Sequence, residues 1–379
     1  MQTIGERLDR YRGIGPGFDF LRVALAMLVV LNHSFLTLDG NFDYVNKHGL
    51  WNLFGLVVPS FFALSGFLIT GSAQRLKLKD FLLNRSMRIV PALAVDITVS
   101  ALIIGPVFTA FSLHDYFRGE DFHHYFANII GFIHYELPGV FLHNPFAKQV
   151  NASLWTVPYE IGCYILMSLL IISGSVKSKM RNIFFFVLFT AIFCGLHIYY
   201  YIHPWPFISG STLDNFIGNF TDDRGNPLYF NFLAGVMFFV FRDRIPYSGK
   251  LALGSIVLVV CSEFLHDVYF FSVSVGYLTI YIGLLEIPRL PLYSRGDYSY
   301  GIYLYAFPVQ QALVCLFPGR FNVFTHFLLS IVLVTCIAMF SWHCIEKPVL
   351  SLRKKFSFTA RKGEENLRQP EAAVKPAAD

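Results

Sequence analysis

The sequence predicts an all-helical polytopic membrane protein of about ten spans with both termini on the cytoplasmic side. Three observations predict it. Of 379 residues, 55% are hydrophobic and only 15% charged, outside the range of an ordinary soluble domain. The apolar residues gather into runs separated by polar loops, the pattern of a chain that crosses a bilayer repeatedly. When Lys and Arg are counted on alternate sides of ten such runs, 24 of the 30 fall on the N-terminal side and five on the other, Arg22 being the remaining one. A miscounted run would scramble that alternation. The formal charge of +5 therefore reads as a topology signal, which makes the lipid bilayer the expected partner and excludes nucleic acid.

A short cytoplasmic segment, 1–17, carries Arg7, Arg10 and Arg12 ahead of the first run, 18–38. No small-residue cleavage site closes that run, so it is expected to remain as a helix. The second run, 51–71, contains Pro59, Ser60, Ser65 and Gly66, which suggest a kinked or broken helix. A basic stretch follows, with Arg75, Lys77, Lys79, Arg85 and Arg88. The third run, 89–111, holds Asp96. A His- and aromatic-rich connection, 112–150, is apolar enough around 125–135 to lie on or dip into the membrane. Further runs are read at 151–172, 183–201, 228–241, 251–264, 268–287, 298–317 and 323–345. The polar loop 203–226 and the tyrosines Tyr199 to Tyr201 read as interfacial. The membrane domain thus covers 18–348, and 349–379 reads as a disordered basic cytoplasmic tail.

Polar residues inside the runs are the candidates for chemistry, because each costs several kcal/mol in hydrocarbon unless it faces protein or water. Arg22 and His33 are eleven residues apart, so three helical turns bring them to within about 20° on one face, roughly 16 Å apart along the axis. A shared face points to a polar chamber, although Arg22 alone could snorkel and His33 alone could be a packing residue. Arg85 and Arg88, three apart, present two guanidiniums on one face of a helix, a pattern suited to phosphate as well as to simple positive-inside anchoring. Glu160 is an intramembrane carboxylate, a site candidate or else a partner for a buried cation such as Arg22. Pro158 places the start of its helix near Thr156. Asp96 reads as structural. The six cysteines sit in apolar segments at irregular spacing, which indicates neither a disulfide framework nor a metal site.

Five motifs in order, FDFLRVALAMLVVLNHSF, PSFFALSGFLIT, RSMRIVP, NASLWTVPYEIGCY and YSYGIYLYAFP, resemble the acyltransferase 3 family of integral-membrane enzymes. The likeness runs from Phe18 to Pro348. The resemblance implies ten membrane helices in the bacterial cytoplasmic membrane and transfer of an acyl group, usually acetyl from cytoplasmic acetyl-CoA, to a hydroxyl of an extracytoplasmic glycan. It implies His33 as the catalytic histidine, Arg22, Arg85 and Arg88 on the acyl-CoA donor, and the motif residues Asn151, Ser153, Trp155, Thr156 and Glu160, with Ser65 and Tyr303 lining the substrate channel. One departure is clear: many members carry a histidine in the ninth-run motif where this chain has Ala306.

Residues and resemblance fit one scheme, with His33 as general base and Glu160 steadying its imidazolium. A two-step route through an acyl-histidine fits as well. The alternative of another class is a proton-coupled transporter or flippase using His33, Glu160 and Asp96, against which stands the lack of an internal repeat.

Overall fold

The computed structural model describes residues 2–11, 13, 15–202, 226–265, 268–287 and 296–356. Among these the chain is helical, its extended pairings reduced to isolated bridges such as Thr109 with Val140 and Glu136 with Gln149. In chain order the helices are α1 (Ile4–Arg10), α2 (Phe18–Asp39), α3 (Val57–Ala73), α4 (Leu78–Val99), α5 (Val157–Ile172) and α6 (Lys179–Ile202). They continue with α7 (Asn226–Val240), α8 (Gly249–Leu265), α9 (Val268–Gly283), α10 (Ser299–Leu316), α11 (Val323–Ser341) and α12 (Lys347–Phe356). Each of the ten apolar runs overlaps one of the helices α2 to α11, wholly or in part. Four helical stretches, Phe18–Asp39, Leu78–Phe108, Ala152–Ile172 and Val323–Leu352, are long and apolar enough to cross a membrane, and four shorter apolar helices accompany them.

Helix α2 sits inside the bundle, against α10, α11, α3 and α9. Its apolar positions feed two of three buried clusters: Ala26 and Val30 join α4, α10 and α11, while Leu21, Leu25 and Val29 join α3, α7 and α9. The third cluster fills the space between α3, α5 and α7. Outer helices present their apolar side chains outward, as a lipid solvent allows: Leu253 on α8 is 64% exposed and Phe324 on α11 67%. Helix α1 is held by a capping box between Thr3 and Glu6, and Arg7 pins it to the end of α9 through the Leu284 carbonyl at 3.2 Å and Glu286 at 3.2 Å.

Two sequence expectations need correction. The second run is not broken at Pro59–Gly66. A four-residue helix, Trp51–Phe54, precedes α3, and Pro59 falls in the first turn of α3, where a missing N–H costs nothing. Gly66 answers to a neighbour: a Cβ there would stand 2.0 Å from the Phe232 carbonyl oxygen, and one on Gly235 of α7 would stand 2.0 Å from that of Ala63. The two backbones touch, the small-residue crossing by which membrane helices approach most closely. The tail, expected to lack structure from 349, is helical as far as Phe356, because Val349, Leu350 and Leu352 give α12 an apolar side that interrupts the basic sequence. Residues 357–379 and the loop 203–225 lie outside the described residues.

The connection after α4 packs against the bundle. Helix α4 passes through a π-helical turn, Ser100–Ile104, and the Tyr116 hydroxyl donates to the Ala101 carbonyl in that turn at 2.6 Å. Tyr116 and Tyr125 are fully buried against α4. The connection therefore forms a packed cap over one end of the bundle, and it carries Tyr135 and Gln149 inward.

Candidate active site

Two cavities run along α2, one at each of its polar residues. The first, of about 340 Å³, collects Arg22 from the start of α2, Arg85 and Arg88 from α4, Glu160 and Tyr164 from α5, and Asp297 just before α10. The three-residue spacing of Arg85 and Arg88 does place both guanidiniums on the same face. Asp297 organises the cluster. Its Oδ2 accepts from Arg22 at 3.0 Å and from Arg88 at 2.5 Å, while Oδ1 accepts from the Ser299 hydroxyl at 2.8 Å. Burial pushes the Asp297 carboxyl up, but the Arg88 and Arg22 guanidiniums outweigh it and hold the group well below the usual carboxylate range. Glu160 accepts from the Tyr164 hydroxyl at 2.6 Å, one turn away on α5. Arg85 differs from its neighbours: its buried Nε has no partner among the described residues. With both carboxylates ionised, the lining carries one excess positive charge, which suits an anionic ligand.

The second cavity, of about 700 Å³, lies three turns further along α2 and is lined there by Asn32 and His33, with Tyr135, Gln149 and Trp155 facing them. His33 is only 8% exposed. Its ring stands edge-on to Phe307 of α10, with centroids 5.1 Å apart, and its Nδ1 has no hydrogen-bond partner among the described residues. The buried Oδ1 of the neighbouring Asn32 has none either. A histidine so placed is oriented by packing, with its Nδ1 enclosed, at the wall of the cavity.

The residues read from sequence divide between these cavities. Ser65, Thr156 and Glu160 line the arginine cavity, Trp155 the histidine cavity, and Tyr303 both. Glu160 does not steady His33 as expected. Pro158 starts α5 in the manner foreseen, but the following turn carries Glu160 toward Arg85, Arg88 and Tyr164. The His33 ring packs on Phe307, and the lining of its cavity contains no carboxylate among the described residues. Asn151 and Ser153 are fully buried and line neither cavity. The Asn151 amide donates to Asp96 at 2.9 Å and to the Leu304 carbonyl at 2.9 Å, and its Oδ1 caps the Ser153 N–H. Asp96 thus has an asparagine for a partner, in keeping with a structural reading. Ala306 is fully buried in the core and lines neither cavity.

Three contributors escaped the sequence reading. Asp297 lies at the edge of an apolar run, where a carboxylate looks like a loop residue. Asn32 was visible as the polar neighbour of His33. Gln149 reaches the site only through the fold of the cap, and nothing local in the sequence signals it.

Comparison with known proteins bears on this arrangement. The acyltransferase 3 family model, described as an acyltransferase domain, matches residues 16–343. An O-acetyl transferase of Shigella phage Sf6 is 28% identical over 350 residues, covering 88% of this chain and 96% of that protein. Nodulation protein 10 of Rhizobium leguminosarum bv. viciae is 25% identical over 92% of this chain and 97% of its own length. The putative peptidoglycan O-acetyltransferase YrhL of Bacillus subtilis is 26% identical over 88% of this chain, which spans 54% of that longer protein. No solved structure matches the chain significantly. The match takes in α2 with Arg22 and His33, the arginine pair on α4, and α10 with its tyrosines, which is to say both cavities and the helices between them: the chain belongs to the acyltransferase 3 family.

Proposed function

We propose that the protein is an O-acyltransferase of the bacterial cytoplasmic membrane, which moves an acetyl group from cytoplasmic acetyl-CoA to a hydroxyl of a glycan on the other side. The observation that carries this reading is the separation of a cationic cavity and a histidine cavity along one helix, with a single residue pair between them. Relatives named for O-acetyl transfer support the group transferred. The class of glycan is that of a surface polysaccharide or cell-wall polymer.

Each cavity supplies one half of the chemistry. Arginine forks suit the phosphates of CoA, and Arg85 offers a guanidinium that no carboxylate holds among the described residues, while Asp297 keeps Arg22 and Arg88 in position. The pantetheine arm then carries the thioester along α2 toward His33. His33 accepts the proton of the sugar hydroxyl, whose oxygen attacks the thioester carbonyl; the C–O bond forms, the C–S bond breaks, and the proton passes to the departing thiolate. Asn32 hydrogen-bonds the sugar beside the base. Without a carboxylate on His33, the imidazolium is met by the developing oxyanion itself.

The test is acyl transfer by the purified protein in lipid vesicles, with labelled acetyl-CoA and a polysaccharide acceptor, comparing wild type with His33→Ala at equal protein. The expected result is a loss of about 10²-fold or more, the usual contribution of a general base. Unchanged transfer in the variant overturns the role of His33, and solute uptake with no acylated product overturns the enzyme reading.

A further inference from the structure

The two cavities have two lining residues in common, Val58 near the start of α3 and Tyr303 on α10. We propose that these side chains form a closed septum between the donor and acceptor cavities, and that its width selects the acyl group that crosses. The proposal rests on the acyl-transfer reading for the identity of what crosses, and on geometry alone for the septum.

Tyr303 is not a loosely placed ring. It is 9% exposed, its ring meets Phe61 edge-on with centroids 6.1 Å apart, and its hydroxyl is anchored at the other end. That hydroxyl donates to the Ser153 carbonyl at 3.2 Å and shares a hydrogen bond with the Thr156 hydroxyl at 2.8 Å. Behind the anchor stands a buried chain. The Ser153 N–H is held by Asn151, which is held in turn by Asp96 and by the Leu304 carbonyl, one residue along α10 from the tyrosine itself. Asn151 and Ser153 line neither of the two cavities, so this chain gives them a purpose that a lining role does not: they fix the strap against which the tyrosine closes. Buried polar groups satisfied in this way favour one arrangement over its neighbours.

A septum solves two problems of the proposed reaction. A thioester waiting in the arginine cavity is open to attack by water, which would form the free acid and CoA; a wall of one aromatic ring and one isopropyl group keeps the water of the histidine cavity from it. The acyl group must also pass that wall, and it is the part of the donor that does so. Discrimination by an apolar aperture of this kind amounts to about tenfold or more per methylene. Acetyl needs the least widening.

Two measurements test the proposal. In the first, the six native cysteines are replaced, Ala152→Cys reports on the histidine cavity, and a membrane-impermeant methanethiosulfonate is applied to sealed vesicles from the arginine side. Slow labelling is expected with Tyr303 in place, several-fold faster labelling with Tyr303→Ala, and an intermediate rate with Tyr303→Phe, which keeps the ring and loses the anchor. Labelling that is equally fast from both faces in the parent, or unaffected by either substitution, overturns the septum. Should Tyr303→Ala fail to fold, Val58→Ala opens the opposite wall by two methyl groups and is read in the same way. In the second measurement, transfer from acetyl-, propionyl- and butyryl-CoA is compared in wild type and Val58→Ala, with about a tenfold rise in the butyryl-to-acetyl ratio expected. An unchanged ratio overturns the selectivity. If wild type transfers no acyl group while the labelling behaves as expected, the acyl-transfer reading falls and the septum stands.

Discussion

The arginine cavity and the histidine cavity differ in the charge they hold. In the first, Arg22 and Arg88 close on Asp297, and Glu160 is met by Tyr164. In the second, His33 and Asn32 belong to a lining that holds no Asp, Glu, Lys or Arg among the described residues. The difference separates binding from chemistry. A charged ligand is best received by side chains already held in place, since little ordering is then lost on binding. A base must meet its proton directly, and a fixed charge beside it would bias its protonation whether or not substrate is present.

The sharpest way to break the comparison is His33→Ala, expected to abolish transfer while leaving acetyl-CoA binding, followed by equilibrium titration, within about twofold of wild type. Next in size is Arg88→Ala. It leaves Asp297 short of its closest cation, and the loss of one partner of a buried pair costs about 3–5 kcal/mol, scaled down here because Asp297 remains 21% exposed and keeps Arg22. A raised KM for the donor and a lower midpoint of thermal unfolding are both expected, with Arg88→Lys restoring stability better than KM. Asn32→Ala should be milder, lowering kcat by about tenfold, the worth of one hydrogen bond at about 1.4 kcal/mol, with donor KM unchanged. The smallest effect concerns pH. The Asp297 carboxyl is held below its ordinary value, so the stability it contributes is present above pH 3.8 and is lost only as pH falls through the lower folded value. Asp297→Asn should therefore leave the shape of the rate profile between pH 5 and 8 untouched, any acid limb there belonging to the histidine cavity; a limb that vanishes in this variant would reverse that assignment.

How much of this was legible beforehand depends on the reach of each contact. The shared face of Arg22 and His33 and that of Arg85 and Arg88 follow from helical periodicity, and both survive in the structure. Of the two carboxylates that Arg22 meets, Asp19 is three residues away on the same helix, but Asp297 lies 275 residues away, and periodicity says nothing across such a distance. Glu160 was rightly singled out as intramembrane but was assigned to the wrong cavity, because the facing of α5 is decided by its neighbours α3, α4 and α7. Pro59 and Gly66 misled for a related reason. Both are helix breakers in isolation, yet one sits where a helix begins and the other where a second backbone leaves no room for a side chain.

That glycine contact has a mechanical consequence for the passage between the cavities. With Gly66 and Gly235 welding α3 to α7 backbone to backbone, the wall that carries Val58 behaves as a fixed pier. Any widening for an acyl group then falls to the opposite bank, where Tyr303 of α10 is tied by its hydroxyl to both Ser153 and Thr156.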